Sequence, residues 1–413
     1  MPRKRKALSL FCGLAAVLCS LSCQCDRPAR PAKAPAEQAA TQPAAAPQPS
    51  APAPRPPKPA AFGAGRLERV NGYTVLHLAG TPEQMGEQHG RLLKNVIPKV
   101  VQTVVRDANG STPEEYKLLI DGARAMEKFL PDAFRRELKA LAAAAEVPYD
   151  ELVALQLFGD VNRGNSMYCS TYAVLGKATA TGECFVGRNM DYWDYGVMRY
   201  GAVLIHFQPD DGIPFFTVSW AGIINGWTAM NAKGIVVANN TAYGAKANST
   251  EGLSTCFMLR KIVQYCDTVV AGVKTIRTTP RSCGTTMIVA GGNPPKAAEV
   301  EYDHDAVAVR WANNGYICAT NGLRRLYQDP PMKDSEGWSS RYLRMVELIK
   351  SNHGRIDEAM NFVADPQVYM GINLHSALLC PQSLRFRLAM GRQPAAEGPY
   401  ECFVLTPKGI VAD

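Results

Sequence analysis

Residues 168–191 constrain the fold more than any other stretch, because their pattern predicts a β-hairpin with a cysteine at its start. Cys169 opens an apolar run of β-forming residues, Gly182 lies in a turn of small residues, and a second apolar run returns. A hairpin brings its two ends together, so we expect Arg188 and Asp191 beside Cys169. A thiol next to a guanidinium and a carboxylate is a candidate activated nucleophile. The alternative is a buried cysteine beside a surface ion pair.

The segment upstream of the hairpin, residues 63–168, is predicted to be mainly helical. Thr81 and Thr112 each start a capping box with proline at the next position, which is typical of a helix N-terminus. Pro131 and Pro148 mark the starts of two further helices.

Downstream of the hairpin, short strands outnumber helices. Strands are expected at residues 203–207, 215–220, 227–229, 235–238, 285–290, 297–302, 306–311, 315–319, 375–379 and 384–390, and helices at residues 253–265, 269–278, 339–349 and 355–363. The four strands between residues 285 and 319 are expected to form one meander. Antiparallel strands with helices gathered in blocks indicate an α+β layered domain. The chain has no glycine-rich nucleotide-binding motif, no HExxH and no GxSxG.

The first residues predict an export signal at residues 1–25. Four basic residues beginning at Arg3 precede an apolar stretch that is too short for a membrane span. The sequence around Cys23 resembles a bacterial lipoprotein cleavage box, with Cys25 as the competing lipidation site and ordinary secretory cleavage as the alternative. Residues 26–62, mostly Ala, Pro and Gln, predict an extended tether. We therefore expect an exported protein of the bacterial cell envelope that touches the membrane only through a lipid anchor.

The charge and the cysteines exclude several partners. The net charge of +8 comes almost entirely from residues 1–62, which hold nine Lys/Arg against two Asp/Glu, whereas the remainder holds 36 against 35. A nearly neutral body gives no reason to expect a nucleic-acid partner. Four of the twelve cysteines lie in the leader, and the other eight form no CxxC pair and no Cys/His cluster. We expect no metal and no cofactor.

The order of motifs resembles the linear-amide hydrolases of the N-terminal nucleophile superfamily. The isopenicillin-N acyltransferases are the closer branch, and the choloylglycine (bile-salt) hydrolases are more distant. The resemblance covers about residues 68–413. It rests on Cys169-Ser170-Thr171, Gly187-Arg188-Asn189-Met190-Asp191, Met230-Asn231-Ala232-Lys233-Gly234 running to Asn240, Thr320-Asn321, Ser339-Ser340-Arg341 and His375-Ser376.

The resemblance implies a fold and a mechanism. The fold would be a four-layer αββα sandwich of two antiparallel sheets between helical layers, with residues 169–413 as the catalytic domain and residues 63–168 as a small-subunit-like segment. The chain would cut itself between Tyr168 and Cys169. The freed α-amine, whose pKa is about 7.7–8.0, would take the proton of its own thiol. The thiolate would then attack an amide carbonyl, and water would release the acyl group.

The resemblance also assigns roles to individual residues. Arg188 and Asp191 would orient Cys169. Asn240 would form the oxyanion hole with a backbone N–H, and Asn239 is the alternative position for this role. The residues completing the polar frame would be Asn321 and Arg341. The chain departs from the family at Tyr168, where relatives often have glycine, and at Gly322, where the acyltransferases often have histidine.

Three alternatives remain beside hydrolysis after self-cleavage. The acyl group passes to an amine in an acyltransferase. In an uncut thiol hydrolase, His375 or His206 acts as the base for Cys169. The third alternative is a non-catalytic, envelope-anchored binding lipoprotein, in which Cys169 carries out no reaction. The expected partner is a small-molecule amide or a short peptide, and the oligomeric state is left open. The aromatic residues near the hairpins are candidates for an apolar acyl pocket or for the core: Tyr192, Trp193, Tyr195, Trp220 and Trp227.

Overall fold

The computed structural model describes residues 58–162, 168–336 and 339–413. The predicted export signal at residues 1–25, with Cys23, and most of the predicted tether lie outside these residues. In the described part of the chain, no helix has the length and apolar character needed to span a bilayer.

Strands and helices come in blocks along the described chain. The strands are β1 Ala60–Phe62, β2 Gly65–Val70, β3 Tyr73–Gly80, β4 Tyr168–Gly176, β5 Gly182–Asp191, β6 Ala202–Pro209, β7 Phe215–Trp220, β8 Thr228–Asn231, β9 Ile235–Thr241, β10 Thr285–Gly291, β11 Lys296–Tyr302, β12 Val307–Trp311, β13 Tyr316–Ala319, β14 Asn373–Cys380, β15 Arg385–Met390, β16 Glu401–Thr406 and β17 Gly409–Ala412. The α-helices are α1 Pro82–Leu92, α2 Ile97–Val101, α3 Pro113–Glu127, α4 Asp132–Ala145, α5 Tyr149–Val161, α6 Met198–Gly201, α7 Thr255–Tyr265, α8 Val269–Thr278 and α9 Ser340–Ser351. A π-helical turn, Gln102–Ala108, follows α2, and two 3₁₀ turns lie at Phe362–Ala364 and Ala395–Glu397.

The predicted helix starts in the upstream segment are confirmed. Thr81 accepts a hydrogen bond from the backbone of Gln84, whose side chain accepts one from the backbone of Thr81, and α3 has the same reciprocal cap at Thr112. Helices α4 and α5 each begin directly after a proline. The same upstream segment also contributes strands β2 and β3.

The helix predicted over residues 355–363 is wrong. Only the single turn Phe362–Ala364 is helical there. The side chain of Asp357 accepts from the backbone of Ala359 at 2.9 Å, and the carbonyl of Ile356 accepts from Ala180 across the fold at 2.9 Å. These bonds take the backbone groups that a helix would use, so tertiary pairing overrides the local pattern.

The strands form two sheets. One has ten strands in the order β1-β2-β3-β6-β7-β8-β9-β10-β11-β12, and the other has seven in the order β13-β4-β5-β14-β15-β16-β17. Neighbouring strands are antiparallel except for β3 and β6, which are parallel. The chain leaves β3 through helices α1 to α5, the β4–β5 hairpin and the short helix α6 before it returns as β6, and a parallel pair requires such a long crossover.

Strand β13 departs from the predicted meander. Strands β10, β11 and β12 do follow one another in the ten-stranded sheet, but β13 crosses to the other sheet and pairs with β4, with Ala319 opposite Thr171. The crossing brings the residues that follow β13 to the beginning of β4, where Cys169 lies.

The two sheets pack face to face between helices. β4 contacts β9, β10 and β11 of the facing sheet, α7 and α8 cover the outer face of the ten-stranded sheet, and α9 covers the outer face of the other. Alternation along β4 follows these layers, because Cys169 and Ala173 join the core that contains Val236, whereas Tyr172 and Val174 join the core beneath α9. The predicted αββα sandwich is confirmed, with the correction that the ten-stranded sheet is mixed, because β3 and β6 run parallel.

A buried ion pair joins α4 to α7. The guanidinium of Arg260 donates to both carboxylate oxygens of Glu137, at 2.6 and 3.0 Å, and the two side chains are 0% and 1% exposed. Arg260 also donates to the carbonyl of Ile224 at 2.7 Å, and its guanidinium lies 4.6 Å from the ring centroids of Phe134 and Phe207. The upstream helices are thus tied to the downstream layers through a charged contact without access to water.

Candidate active site

Burial alone does not single out Cys169. The eight cysteines in the described residues are free thiols, and all except Cys402 are buried. Cys169 is the second residue of β4, is 1% exposed and lies opposite Met190 on β5. Cys169 differs from the other cysteines in having Asn321, Arg341 and Asp191 on one side of its strand and Arg188 on the other.

Asn321 and Arg341 hold the main chain of Cys169. The backbone N–H of Cys169 donates to Oδ1 of Asn321 at 3.0 Å, and Nη1 of Arg341 donates to the carbonyl of Cys169 at 3.0 Å. Nη2 of Arg341 also donates to Oδ1 of Asn321 at 3.0 Å. Nδ2 of Asn321 in turn donates to the carbonyl of Thr241 at 2.8 Å. The frame predicted from the motifs is therefore assembled around the backbone atoms of Cys169.

Asp191 lies on the same side as this frame. It is opposite Tyr168 in the β4–β5 register, is fully buried, and its Oδ2 is 3.5 Å from Nη1 of Arg341. Its Oδ1 accepts from Nδ2 of Asn373 at 2.8 Å. Burial raises the pKa of Asp191 to about 6, although the charge of Arg341 opposes the rise. The carboxyl is therefore ionised above about pH 6, next to the main chain of the candidate nucleophile.

Arg188 lies on the opposite side, with the thiol. It pairs in register with Thr171, two residues after Cys169, so its side chain shares the inner face of the sheet with the thiol. Nη2 donates to the carbonyl of Asn239 at 2.9 Å, and Nη1 donates to the carbonyl of Asn189. Burial raises the pKa of the Cys169 thiol, and the charge of Arg188 is the main opposing effect. The thiol therefore needs a base in order to react.

Asn240, rather than Asn239, faces the nucleophile strand. Oδ1 of Asn240 accepts from the hydroxyl of Thr171 at 2.9 Å. Nδ2 of Asn240 is buried and has no hydrogen-bond partner within the described residues. The side chain of Asn239 projects to the other face of β9 and lines a small cavity with Gln156 and Trp227. The side-chain amide of Asn240, which contains the nitrogen Nδ2, therefore lies on the face of β9 that meets β4.

Two site residues were missed by reasoning from the sequence. Thr171 lies within the quoted Cys169-Ser170-Thr171 motif, and the two-residue period of a strand already places it on the face of the thiol. Asn373, which binds Asp191, lies on β14 far along the chain, two residues before His375. No local signal in the sequence relates Asn373 to the hairpin.

The histidines do not provide a base beside the thiol. His375 and Cys169 both lie opposite Met190, on the strands flanking β5, so two strand spacings, about 9–10 Å, separate their backbones. Nε2 of His375 is 2.9 Å from the hydroxyl of Thr228, and burial lowers the pKa of this histidine well below its usual value. His206 lies on β6, and burial lowers its pKa to about 3.

The predicted cluster of aromatic residues lines one apolar cavity. The five side chains line it together, and Met190, directly opposite Cys169 on the neighbouring strand, is also part of its wall. The cavity encloses about 30 Å³. Its aromatic members are Tyr192, Trp193, Tyr195, Trp220 and Trp227. Cys169 adjoins the cavity only through Met190, and Tyr192, Trp220 and Trp227 are also buried members of the hydrophobic core.

Across the residues that the structure covers, no group of three His, Cys, Asp or Glu side chains is placed to hold a metal ion.

Comparison with known proteins confirms the resemblance drawn from the motifs. Residues 179–372 match the model of the acyl-coenzyme A:6-aminopenicillanic acid acyl-transferase family, a region that contains Arg188, Asp191 and Asn321 and begins after Cys169. The chain is 26% identical over 276 residues to an uncharacterised protein of Archaeoglobus fulgidus, covering 60% of this chain and 46% of that protein. It is 20% identical over 229 residues to the N-acylethanolamine-hydrolyzing acid amidase of Mus musculus, covering 53% of this chain and 61% of the amidase.

Among solved structures, the Caenorhabditis elegans orthologue of the same amidase is similar at a TM-score of 0.40 and 17% identity, over 52% of this chain and 93% of that one. The chain thus spans about half the length of the Archaeoglobus relative and about three fifths of the mouse amidase. The matching family is named for an acyl-transferase and the mouse relative for an amide hydrolase, whereas the Archaeoglobus relative is uncharacterised.

Proposed function

We propose that the protein is a self-cleaving cysteine amidohydrolase that acts on linear amide bonds through an acyl-enzyme on Cys169. The observation that carries the proposal is that Asn321 and Arg341 hold the main-chain nitrogen and carbonyl of Cys169, at 3.0 Å each. Neither predicted histidine base lies beside the thiol, whereas the main-chain nitrogen donates to the buried side chain of Asn321, which Arg341 holds in turn. An α-amine at this position would supply the base.

Self-cleavage creates that amine. The thiol of Cys169 adds to the carbonyl carbon of Tyr168, the peptide C–N bond breaks, and the departing nitrogen takes a proton. Water then hydrolyses the thioester, which leaves a carboxylate on Tyr168 and a free α-amine on Cys169. The cut would separate the chain that ends at Tyr168, which contains the small-subunit-like segment at residues 63–168, from the catalytic domain, residues 169–413.

In turnover, the amine takes the proton of the thiol and the thiolate attacks the amide carbonyl of the substrate. Nδ2 of Asn240 donates to the oxygen that becomes negative, and the protonated amine returns its proton to the leaving nitrogen. Water then attacks the thioester to release the acid. If an amine enters in place of water, the same intermediate gives acyl transfer, an outcome that the name of the matching family favours.

The substrate we propose is a small amide or short peptide with an apolar acyl group. The aromatic cavity adjoins Met190, and the mouse relative hydrolyses N-acylethanolamines by its name. From the leader and the tether, we further propose that the enzyme is exported to the bacterial envelope and anchored through a lipid on Cys23.

The test uses the purified full chain. On a denaturing gel with N-terminal sequencing, we expect two fragments, the larger beginning Cys169-Ser170-Thr171. Incubation with a panel of N-acyl amides, analysed by mass spectrometry, should add the acyl mass to the peptide that contains Cys169. A chain that stays whole during long incubation yet hydrolyses an amide would contradict self-cleavage. A cut chain without an acyl adduct or turnover would contradict the amidohydrolase.

Activity and stability should depend on the ionisation of Asp191 with opposite signs. The carboxyl has a pKa of about 6 in the folded chain, against roughly 3.9 in an unfolded one, so folding favours its protonated form. We expect the rate of acyl-enzyme formation to rise as pH increases through 6. The contribution of this group to the free energy of unfolding should be greatest below pH 4 and should fall between pH 4 and 6.

The matched variant is Asp191→Asn, which keeps the shape and removes the titration. It should lower the rate and make the rise below pH 6 shallower, as measured by rapid-quench acylation, because the α-amine, with a pKa of about 7.7–8.0, still titrates in the variant. It should also remove this part of the pH dependence seen in urea unfolding. Acylation profiles of the same steepness below pH 6 in the wild type and in Asp191→Asn would show that Asp191 is not a titrating group of the reaction.

A further inference from the structure

We propose that Thr171 is a positioning residue, which holds the side-chain amide of Asn240 so that its nitrogen, and not its oxygen, faces the reacting carbonyl. The inference rests on the proposed function, because it concerns the donor that Asn240 offers to the substrate. Thr171 belongs to the motif Cys169-Ser170-Thr171, but the resemblance to the family assigns no catalytic or positioning role to it.

The contact is direct and fully buried. The hydroxyl of Thr171 donates to Oδ1 of Asn240 at 2.9 Å, and both residues are 0% exposed. The carbonyl of Asn240 accepts from the hydroxyl of Thr285 at 3.1 Å, so the backbone is held separately from the side chain. With Oδ1 bound to Thr171, Nδ2 is the amide atom left for a ligand. In the flipped amide, Oδ1 would meet the developing oxyanion and repel it.

Two unused donors lie on this inner face. Nδ2 of Asn240 and Nε of Arg188 are both buried, and neither has a hydrogen-bond partner among the described residues. Thr171 lies opposite Arg188 in the β4–β5 register and contacts Asn240 on the facing sheet, so it lies between the two donors. Buried donors are normally paired, and two left open beside a thiol fit an oxygen that becomes negative only during the reaction.

Without the hydroxyl, Oδ1 of Asn240 loses its donor, and the amide can turn this oxygen toward the guanidinium of Arg188. This change should reduce the rate of the chemical step while leaving substrate binding intact. It should also require Asn240 to be present, because Thr171 acts only through that residue. A serine at position 171 can make the same bond and should restore the rate.

The experiment compares Thr171→Val, Thr171→Ser, Asn240→Ala and the double variant Thr171→Val/Asn240→Ala on the best N-acyl amide of the panel. Rates are normalised to the cleaved fraction measured on gels, so that slow self-cleavage is not read as slow turnover. We expect Asn240→Ala to lower kcat about 100-fold or more, and Thr171→Val to lower it about 10-fold with KM changed less than about 3-fold. Thr171→Ser should stay within about 3-fold of the wild-type kcat, and the double variant should be no slower than Asn240→Ala alone.

Several outcomes would overturn the proposal. These are a Thr171→Val variant with unchanged kcat, a serine variant as slow as the valine variant, or effects that multiply in the double variant. Thr217→Val is the matched control, because the hydroxyl of Thr217 is also buried but donates to a backbone carbonyl, that of Thr228, at 3.1 Å. It should retain the wild-type kcat. If thermal melting shows that Thr171→Val is unfolded, Thr171→Ala replaces it. A wild-type chain that forms no acyl adduct would instead remove the proposed function.

Discussion

Replacing Cys169 with alanine should leave one uncut chain and lower amide turnover by roughly 10⁴-fold or more. Under the proposed mechanism the same sulfur attacks the Tyr168 carbonyl and the substrate carbonyl, so one substitution removes both steps. The measurements are a denaturing gel after long incubation and product formation at substrate saturation. The side chain is buried beside Met190 and loses only its sulfur, so the fold should persist, as circular dichroism would show.

The matched control is Cys184→Ala, on the return strand of the same hairpin. Cys184 is also a fully buried free thiol, and burial raises its pKa strongly. Its backbone N–H donates to the side chain of Gln382 at 3.0 Å, so a main-chain partner like that of Cys169 is present, whereas the polar groups proposed for catalysis lie around Cys169. This variant should be cut and active like the wild type. If Cys169→Ala still yields a fragment beginning at residue 169, another group cleaves the bond, and the proposed route fails.

The largest effect on stability should come from breaking the buried pair between Arg260 and Glu137. Arg260→Met leaves the Glu137 carboxyl without its partner in a site with no access to water, and we expect a loss of about 3–5 kcal/mol in the free energy of unfolding. Urea unfolding followed by tryptophan fluorescence measures this quantity. Burial already raises the pKa of Glu137, with Arg260 opposing that rise, so the lone carboxyl should take up a proton.

A paired replacement separates charge from packing. Arg260→Met combined with Glu137→Leu removes both charges and fills the space, so it should recover most of the loss. A single variant as stable as the wild type would show that the pair contributes nothing. An equal loss in the single and double variants would place the effect in the packing of Arg260 against the rings of Phe134 and Phe207.

Local signals in the sequence predicted the hairpin, but the prediction did not say which face of the sheet each of its polar side chains occupies. The spacing of β-forming residues around a small-residue turn was sufficient for β4 and β5. Successive residues of a strand point to opposite faces of the sheet, and Arg188 and Asp191 are three residues apart. Arg188 therefore lies on the face of the sheet that carries the thiol, whereas Asp191 lies on the face where Arg341 binds the main chain of Cys169. The expectation that both flank Cys169 was therefore right about position and too coarse about orientation.

The rest of the site depends on contacts between distant parts of the chain. Asn321 reaches Cys169 because β13 changes sheets, and Arg341 reaches it because α9 covers the outer face of β4. Neither event leaves a periodic signal, so only the resemblance to a family could suggest these residues. The segment at residues 355–363 shows the converse case, since its local pattern favoured a helix but its backbone pairs with the turn near Ala180.

The parallel pair of β3 and β6 has a consequence for the cut chain. Val75 to Gly80 lie in register with Leu204 to Pro209, so backbone hydrogen bonds cross from one side of the Tyr168–Cys169 bond to the other within a single sheet. Scission of this bond would create a new N-terminus at Cys169, but the two fragments would stay associated through the sheet. They should elute together from a sizing column under native conditions and separate only in denaturant, and the cleaved protein should unfold in one cooperative transition.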